Sequence, residues 1–201
     1  MLLRTFVPVS FNYQDLITVF NHSFSQPFNT VLIAGEDEPV YLPADAQNKH
    51  HRIEFAHRFY ASALHEIAHW LVAGEQRRLL VDYGYWYAPD GRDAKLQAEF
   101  EKVEITPQAI EWALAASCGF KFDVSVDNLS GISIDRLSFK HRVHDRVMHY
   151  LQNGFSGRTI LLINACRDFY HTPVLSPELF DYQGICARGA ASKKVLEPAY
   201  E

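Results

Sequence analysis

Two histidines four residues apart, His65 and His69, enclose Glu66 in the pattern His-Glu-x-x-His. If this stretch is helical, residues i and i+4 share a face, and the two imidazoles can hold one metal ion from consecutive turns. Glu66 then stands beside the first ligand and can reach a metal-bound water, which makes it the candidate catalytic carboxylate. With 10 His and 12 Glu in 201 residues, a shuffled chain would hold roughly 0.03 such patterns. The alternative, a pair of surface histidines, fits poorly with the small apolar neighbours Ala61, Ala63 and Ala68.

Two histidines leave the site incomplete, and a third ligand must come from a later element. The run 99–104 offers Glu99, Glu101 and Glu104. With Leu96 at zero on a helical wheel, Phe100 falls near 40° and Val103 near −20°, at about 100° per residue. Glu104 then falls near 80°, Glu99 near −60° and Glu101 near 140°, so Glu101 is expected to face water. Glu99 and Glu104 flank the apolar stripe, so either could point inward; Glu104 is preferred, because it sits one turn past Phe100 at an expected junction between helices. His141 and His144 with Asp145 form a weaker chelating set. His50, His51 and His57 precede the motif and could border its mouth.

The elements that must position these groups can be read from periodicity and punctuation. Asn12 starts a helix with Leu16, Val19 and Phe20 inward. Residues 30–34 and 40–42 read as strands, and 53–55 as an edge strand, since Ile53 and Phe55 alternate with charged neighbours. The His-Glu-x-x-His helix covers 59–73 and stops before Gly74. Residues 79–81 read as a further strand and 83–91 as an aromatic loop that could line a substrate pocket. Residues 93–104 read as a helix with Leu96, Phe100 and Val103 inward. A separate helix then starts with Thr106 as N-cap, Pro107 at N1 and Ile105 stapled to Ile110, and ends at Gly119. Residues 120–126 alternate as a strand, and 127–131 as a turn. Helices over 138–153 and 157–170 and a short turn at 176–178 complete the order. The sum is a single α+β domain over 1–183, helix-rich with a small mixed sheet, and a loosely held tail over 184–201.

Composition narrows the function classes. Hydrophobic residues make up 48% and charged residues 21%, as in a globular domain of this length. The formal charge of −5 argues against broad nucleic-acid or membrane-surface binding. Arg77-Arg78 and Lys193-Lys194 are small basic clusters that could dock an acidic partner. Cys118, Cys166 and Cys186 form no Cys-x-x-Cys pair, so neither a disulfide framework nor a cysteine zinc site is expected, and a reducing cytoplasm is the simple location. No membrane span or secretion signal is expected. Walker, Gly-x-Gly-x-x-Gly and Gly-x-Ser-x-Gly patterns are absent from the sequence.

Three segments in order, SALHEIAHW at 62–70, FEKVE at 100–104 and PQAIEW at 107–112, resemble the bacterial elongation factor P hydroxylase family. The resemblance implies hydroxylation of the lysine at the tip of elongation factor P after β-lysylation. It implies a mononuclear metal held by two histidines and one carboxylate, matched here by His65, His69 and Glu104. It also implies a zincin-like fold similar to a bacterial rRNA-maturation metalloendoribonuclease. Imidazole and carboxylate suit both Fe(II) and Zn(II), so ligand type does not choose the metal. Hydroxylation with Fe(II) and dioxygen stands first. A zinc hydrolase, peptidase or ribonuclease, with Glu66 as general base stands second. A purely structural metal stands last, since such a site would normally close with a fourth protein ligand.

Overall fold

The computed structural model describes residues 11–84, 91–126 and 135–182. Within them the order is α1 (Tyr13–Phe24), β1 (Thr30–Ala34), β2 (Val40–Leu42), β3 (His51–Phe55), α2 (Tyr60–Val72), α3 (Ala94–Cys118), α4 (Arg136–Asn153) and α5 (Gly157–Tyr170). The class is helix-rich α+β, with one small mixed sheet. Among the described residues no helix is long and apolar enough to cross a membrane. Residues 85–90, 127–131, Cys186, Lys193-Lys194 and the tail expected over 184–201 lie wholly or partly outside the described residues.

The sheet order is β1-β3-β2, with β1 parallel and β2 antiparallel to β3. β3 is therefore central, which corrects its reading as an edge strand. The charged alternation that suggested an edge is an ion pair, Arg52 to Glu54 at 3.2 Å, on one face of the sheet. The other face carries Leu32, Tyr41, Ile53 and Phe55, all buried, with α1 and α2 packed on the sheet. The open edge of β1 is covered by a side chain. Asn21 of α1 donates to the Leu32 carbonyl at 3.2 Å and accepts from its N–H at 2.7 Å, so its amide replaces a strand neighbour.

α2 is held at its C-terminal end. The last carbonyls of a helix lack internal partners. Here the Arg158 guanidinium of α5 donates to the carbonyls of Trp70, Leu71 and Ala73 at 3.1, 3.1 and 2.8 Å. Its positive charge also suits the negative end of the helix dipole. The same group lies 4.6 Å from the centre of the Trp70 ring, which packs edge-on among Phe20, Phe24 and Phe28.

Three other sequence expectations are corrected. Residues 79–81 form no strand. They fold into tight turns, Arg77–Leu79 and Val81–Gly84, in which the Leu79, Leu80 and Tyr83 N–H groups bond back three residues. Two helices expected on either side of Thr106 are one, α3, which runs through Pro107. A proline inside a helix removes one hydrogen bond and crowds the preceding turn, at a cost of about 3 kcal/mol. The carbonyl that loses its donor belongs to Val103, an exposed residue that water can serve, while residues 107–115 are all buried and packing holds the helix together. Residues 120–126 are extended, with Phe122, Val124 and Val126 buried, but they join no sheet. Side chains hold them instead: Arg136 donates to the Val124 carbonyl at 2.6 Å, and Arg92 and Gln97 to that of Val126 at 3.1 and 3.3 Å.

The inward face of α3 also differs from expectation. Leu96 and Val103 are 54% and 52% exposed. The buried stripe is Gln97, Phe100, Glu104, Gln108 and Glu111. Its polar members face inward because of what α2 presents to them.

Candidate metal centre

On α2, His65 and His69 project from consecutive turns with their Nε2 atoms 3.0 Å apart. On α3, Glu104 is 2% exposed. Its Oε1 lies 3.3 Å from His69 Nε2, and its Oε2 lies 3.8 Å from His65 Nε2. Bonds of about 2.1 Å to one metal would put neighbouring donor atoms about 3.0 Å apart at a right angle and about 3.4 Å apart at the tetrahedral angle. The two closer separations fall in that range. These three residues could hold a divalent ion, and they are the set of three that fits one among the described residues.

Glu111, two turns along α3 from Glu104, accepts a hydrogen bond from His65 Nδ1 at 2.8 Å. A proton fixed on Nδ1 leaves the Nε2 lone pair turned toward His69 and Glu104. Burial works against charge on His65. It is outweighed by the charge and hydrogen bond of Glu111 and by the charges of Glu104 and Glu66, so His65 holds its proton well above the usual imidazole range. Burial likewise opposes charge on Glu104. The nearby histidines, a hydrogen bond to His69 and one from Gln108 win, and its carboxyl falls to about 2. Without a metal the centre is thus an anionic carboxylate facing two histidines, of which His65 tends to carry an extra proton that a metal at Nε2 would have to displace, while Glu111 fixes the orientation of its ring.

Glu66 is half-buried next to His65. Among the described residues its carboxylate has no hydrogen-bond partner. Burial raises its pKa, with partial relief from His65 and His69 and a further push upward from Glu104 and Asp82. Such a group can take up or hold a proton more readily than an exposed glutamate.

The remaining sequence candidates lie elsewhere. Glu99 is exposed and paired with Lys102 at 2.7 Å. Glu101, expected to face water, is instead mostly covered and pairs with Arg142. His144 packs 5.8 Å from the Trp112 ring and 4.8 Å from that of Tyr182, and with His141 it builds no three-donor set. His51 accepts from the Ala44 N–H at 3.0 Å on β3. His50 and His57 also stay outside the donor set. Tyr83 is buried against Tyr41, with ring centres 4.3 Å apart. Arg77 and Arg78 turn inward to the carbonyls of Tyr83 and Ala73 at 2.9 and 2.6 Å. Glu111 and Gln108 carried no expected role. Their signal was available, since 104, 108 and 111 share one face at i, i+4 and i+7.

The sequence model of the elongation factor P hydroxylase family matches residues 19–180, a span that holds every residue of this centre. This chain belongs to that family. The elongation factor P lysine hydroxylase of Haemophilus influenzae is 50% identical over 159 residues, covering 79% of this chain and 89% of that protein. For a member of the elongation factor P hydroxylase family, a buried donor set between α2 and α3 is the natural place to look for the hydroxylating centre.

Proposed function

We propose that this protein hydroxylates the β-lysylated lysine of translation elongation factor P. The metal is Fe(II), held by His65, His69 and Glu104, and the oxidant is dioxygen. The observation that carries this reading is the convergence of two imidazoles and one carboxylate in a chain of the hydroxylase family. Three protein ligands leave positions open, as an oxygenase requires for dioxygen and substrate to approach together. When bound, Fe(II) supplies the activation of dioxygen.

The chain's own groups do the rest. Glu111 keeps His65 in the tautomer whose Nε2 is free to bind. Glu66 is the catalytic carboxylate beside the centre, holding a proton or a water in a site that burial has partly dried. A lysine extended by a β-lysyl group is long enough to reach a buried centre while the folded partner stays outside. Partner docking therefore depends on the local surface around the entrance. The chain's own net negative charge would not attract an acidic partner overall, so docking on one would rest on local clusters. A partner in translation, and thiols left free at Cys118 and Cys166, fit a cytoplasmic location. A histidine-bearing helix packed on a small mixed sheet, with the carboxylate on the next helix, supports a zincin-like fold like that of the rRNA-maturation endoribonuclease.

One observation favours a second reading. The unpartnered, burial-raised Glu66 also suits a general base acting on a zinc-bound water, so a zinc hydrolase is retained as the alternative. The test is intact-mass analysis of elongation factor P after incubation with Fe(II)-loaded protein, reductant and oxygen. A gain of one oxygen atom on the β-lysylated form is expected. No gain on any form, from protein with verified metal content, removes the hydroxylase reading. Hydrolysis by the Zn(II) form without oxygen would put the alternative first.

A further inference from the structure

Glu104 is the part of the centre with the most freedom. A histidine offers one ring nitrogen once the other is engaged, whereas a carboxylate can bind through either oxygen or both. What restrains Glu104 is one turn along α3. Gln108 is fully buried, and its Nε2 donates to Glu104 Oε2 at 3.2 Å. The same nitrogen donates to the Ser125 carbonyl at 2.7 Å, and Gln108 Oε1 accepts from the Ser125 N–H at 3.0 Å. The orientation of the amide follows from these three contacts. Turned over, it would set oxygen against a carboxylate and a carbonyl, and nitrogen against an N–H.

Gln108 has a firm anchor. Ser125 lies in the extended segment 120–126, which Arg136, Arg92 and Gln97 hold by its flanking carbonyls. Lys140, itself buried, adds a 3.0 Å contact to Asp123. The amide thus bridges a fixed backbone segment and the carboxylate, much as Asn21 covers the edge of β1.

Resting on the reading that His65, His69 and Glu104 hold the metal, we propose that Gln108 is a positioning residue that engages Glu104 Oε2 and leaves Oε1, the oxygen beside His69, as the ligand atom. Metal binding and the placement of segment 120–126 are then linked through one side-chain amide.

The test uses the full chain and does not need turnover. Gln108→Met keeps the length and removes both donors. Its Zn(II) affinity, measured by chelator competition, is expected to fall roughly 10–100-fold. The visible spectrum of the Co(II)-loaded variant should also differ from that of the parent, because the carboxylate is free to rebind through both oxygens. A merely structural role would lower the melting temperature and leave the spectrum unchanged. Affinity within about twofold of the parent, with the same Co(II) spectrum, overturns the proposal. If Gln108→Met does not fold, the unsubstituted protein decides by NMR. Zn(II) should shift the Gln108 side-chain amide and the Ser125 N–H together, and no shift at either overturns the proposal. If the parent binds neither Zn(II) nor Co(II), the ligand reading itself is wrong and this inference goes with it. Binding by the parent without an effect at Gln108 refutes the inference alone.

Discussion

Removing any metal with a chelator and then varying pH should expose the electrostatics of the centre directly. Glu104 is held at about 2 in the folded chain, and an exposed glutamate titrates near 4.5. A group depressed on folding supplies stability that is present above its unfolded pKa and lost as pH falls through its folded value. The window is therefore about pH 4.5 down to about 2. The fall from about 4.5 to about 2 corresponds to about 3 kcal/mol. His65 moves in the other direction. Its raised pKa gives stability that is full below the usual imidazole value and is lost as pH climbs through the folded one. Glu104 and His65 thus weaken the metal-free protein below about pH 4.5 and above the usual imidazole value, while Glu66 and Glu111, whose carboxyls burial raises, take stability away as pH climbs above about 4.5. The assay is urea unfolding at closely spaced pH values, comparing the parent with Glu104→Gln. The acid-side loss should be about 3 kcal/mol smaller in the variant. Equal acid-side slopes in the two proteins would refute the reasoning. Metal-loaded protein should show the opposite upper flank, because binding at Nε2 competes with a proton and improves as pH rises.

Three further outcomes are expected. Glu111→Leu should weaken Zn(II) binding roughly 10–100-fold, since His65 loses the carboxylate that fixes its tautomer; chelator competition with an unchanged dissociation constant would count against that role. Glu66→Gln should keep its metal, as judged by metal analysis, while losing most turnover of elongation factor P; full activity would remove Glu66 from the catalytic machinery. Arg158→Leu should cost roughly 2–4 kcal/mol in urea unfolding by leaving the Trp70, Leu71 and Ala73 carbonyls with fewer donors, and a loss under about 1 kcal/mol would mean that water replaces the guanidinium.

The helix bearing His65 and His69 was legible because its apolar residues keep one period and its ligands share a face. α3 was misread twice, for two physical reasons. Thr106-Pro107 has the chemistry of a helix start, and only burial on every side of residues 107–115 overrides it. The wheel centred on Leu96 assumed that the inward face is the apolar one. Here the inward face carries Gln97, Glu104, Gln108 and Glu111, because it meets imidazoles as well as core. Glu104 was singled out as a flanking residue at a helix junction, and it actually sits mid-helix in the centre of the buried stripe. β3 misled in a similar way, since Arg52 and Glu54 satisfy each other and do not mark an edge. Segment 120–126 shows the alternation of a strand, but side chains bond its backbone, and such pairing leaves no trace in local sequence.

The unbroken course of α3 through Pro107 has a consequence for how this protein can change over generations. Glu104, Gln108 and Glu111 are marks on a single ruler, and their alignment depends on count as much as on identity. One codon gained or lost between 104 and 111 would turn one end against the other by about 100° and slide it about 1.5 Å. Glu104 could then no longer face both histidines while Glu111 holds His65. Lineages of this enzyme should therefore accumulate length changes in the connections outside α3 and almost none between these marks, however far their sequences drift.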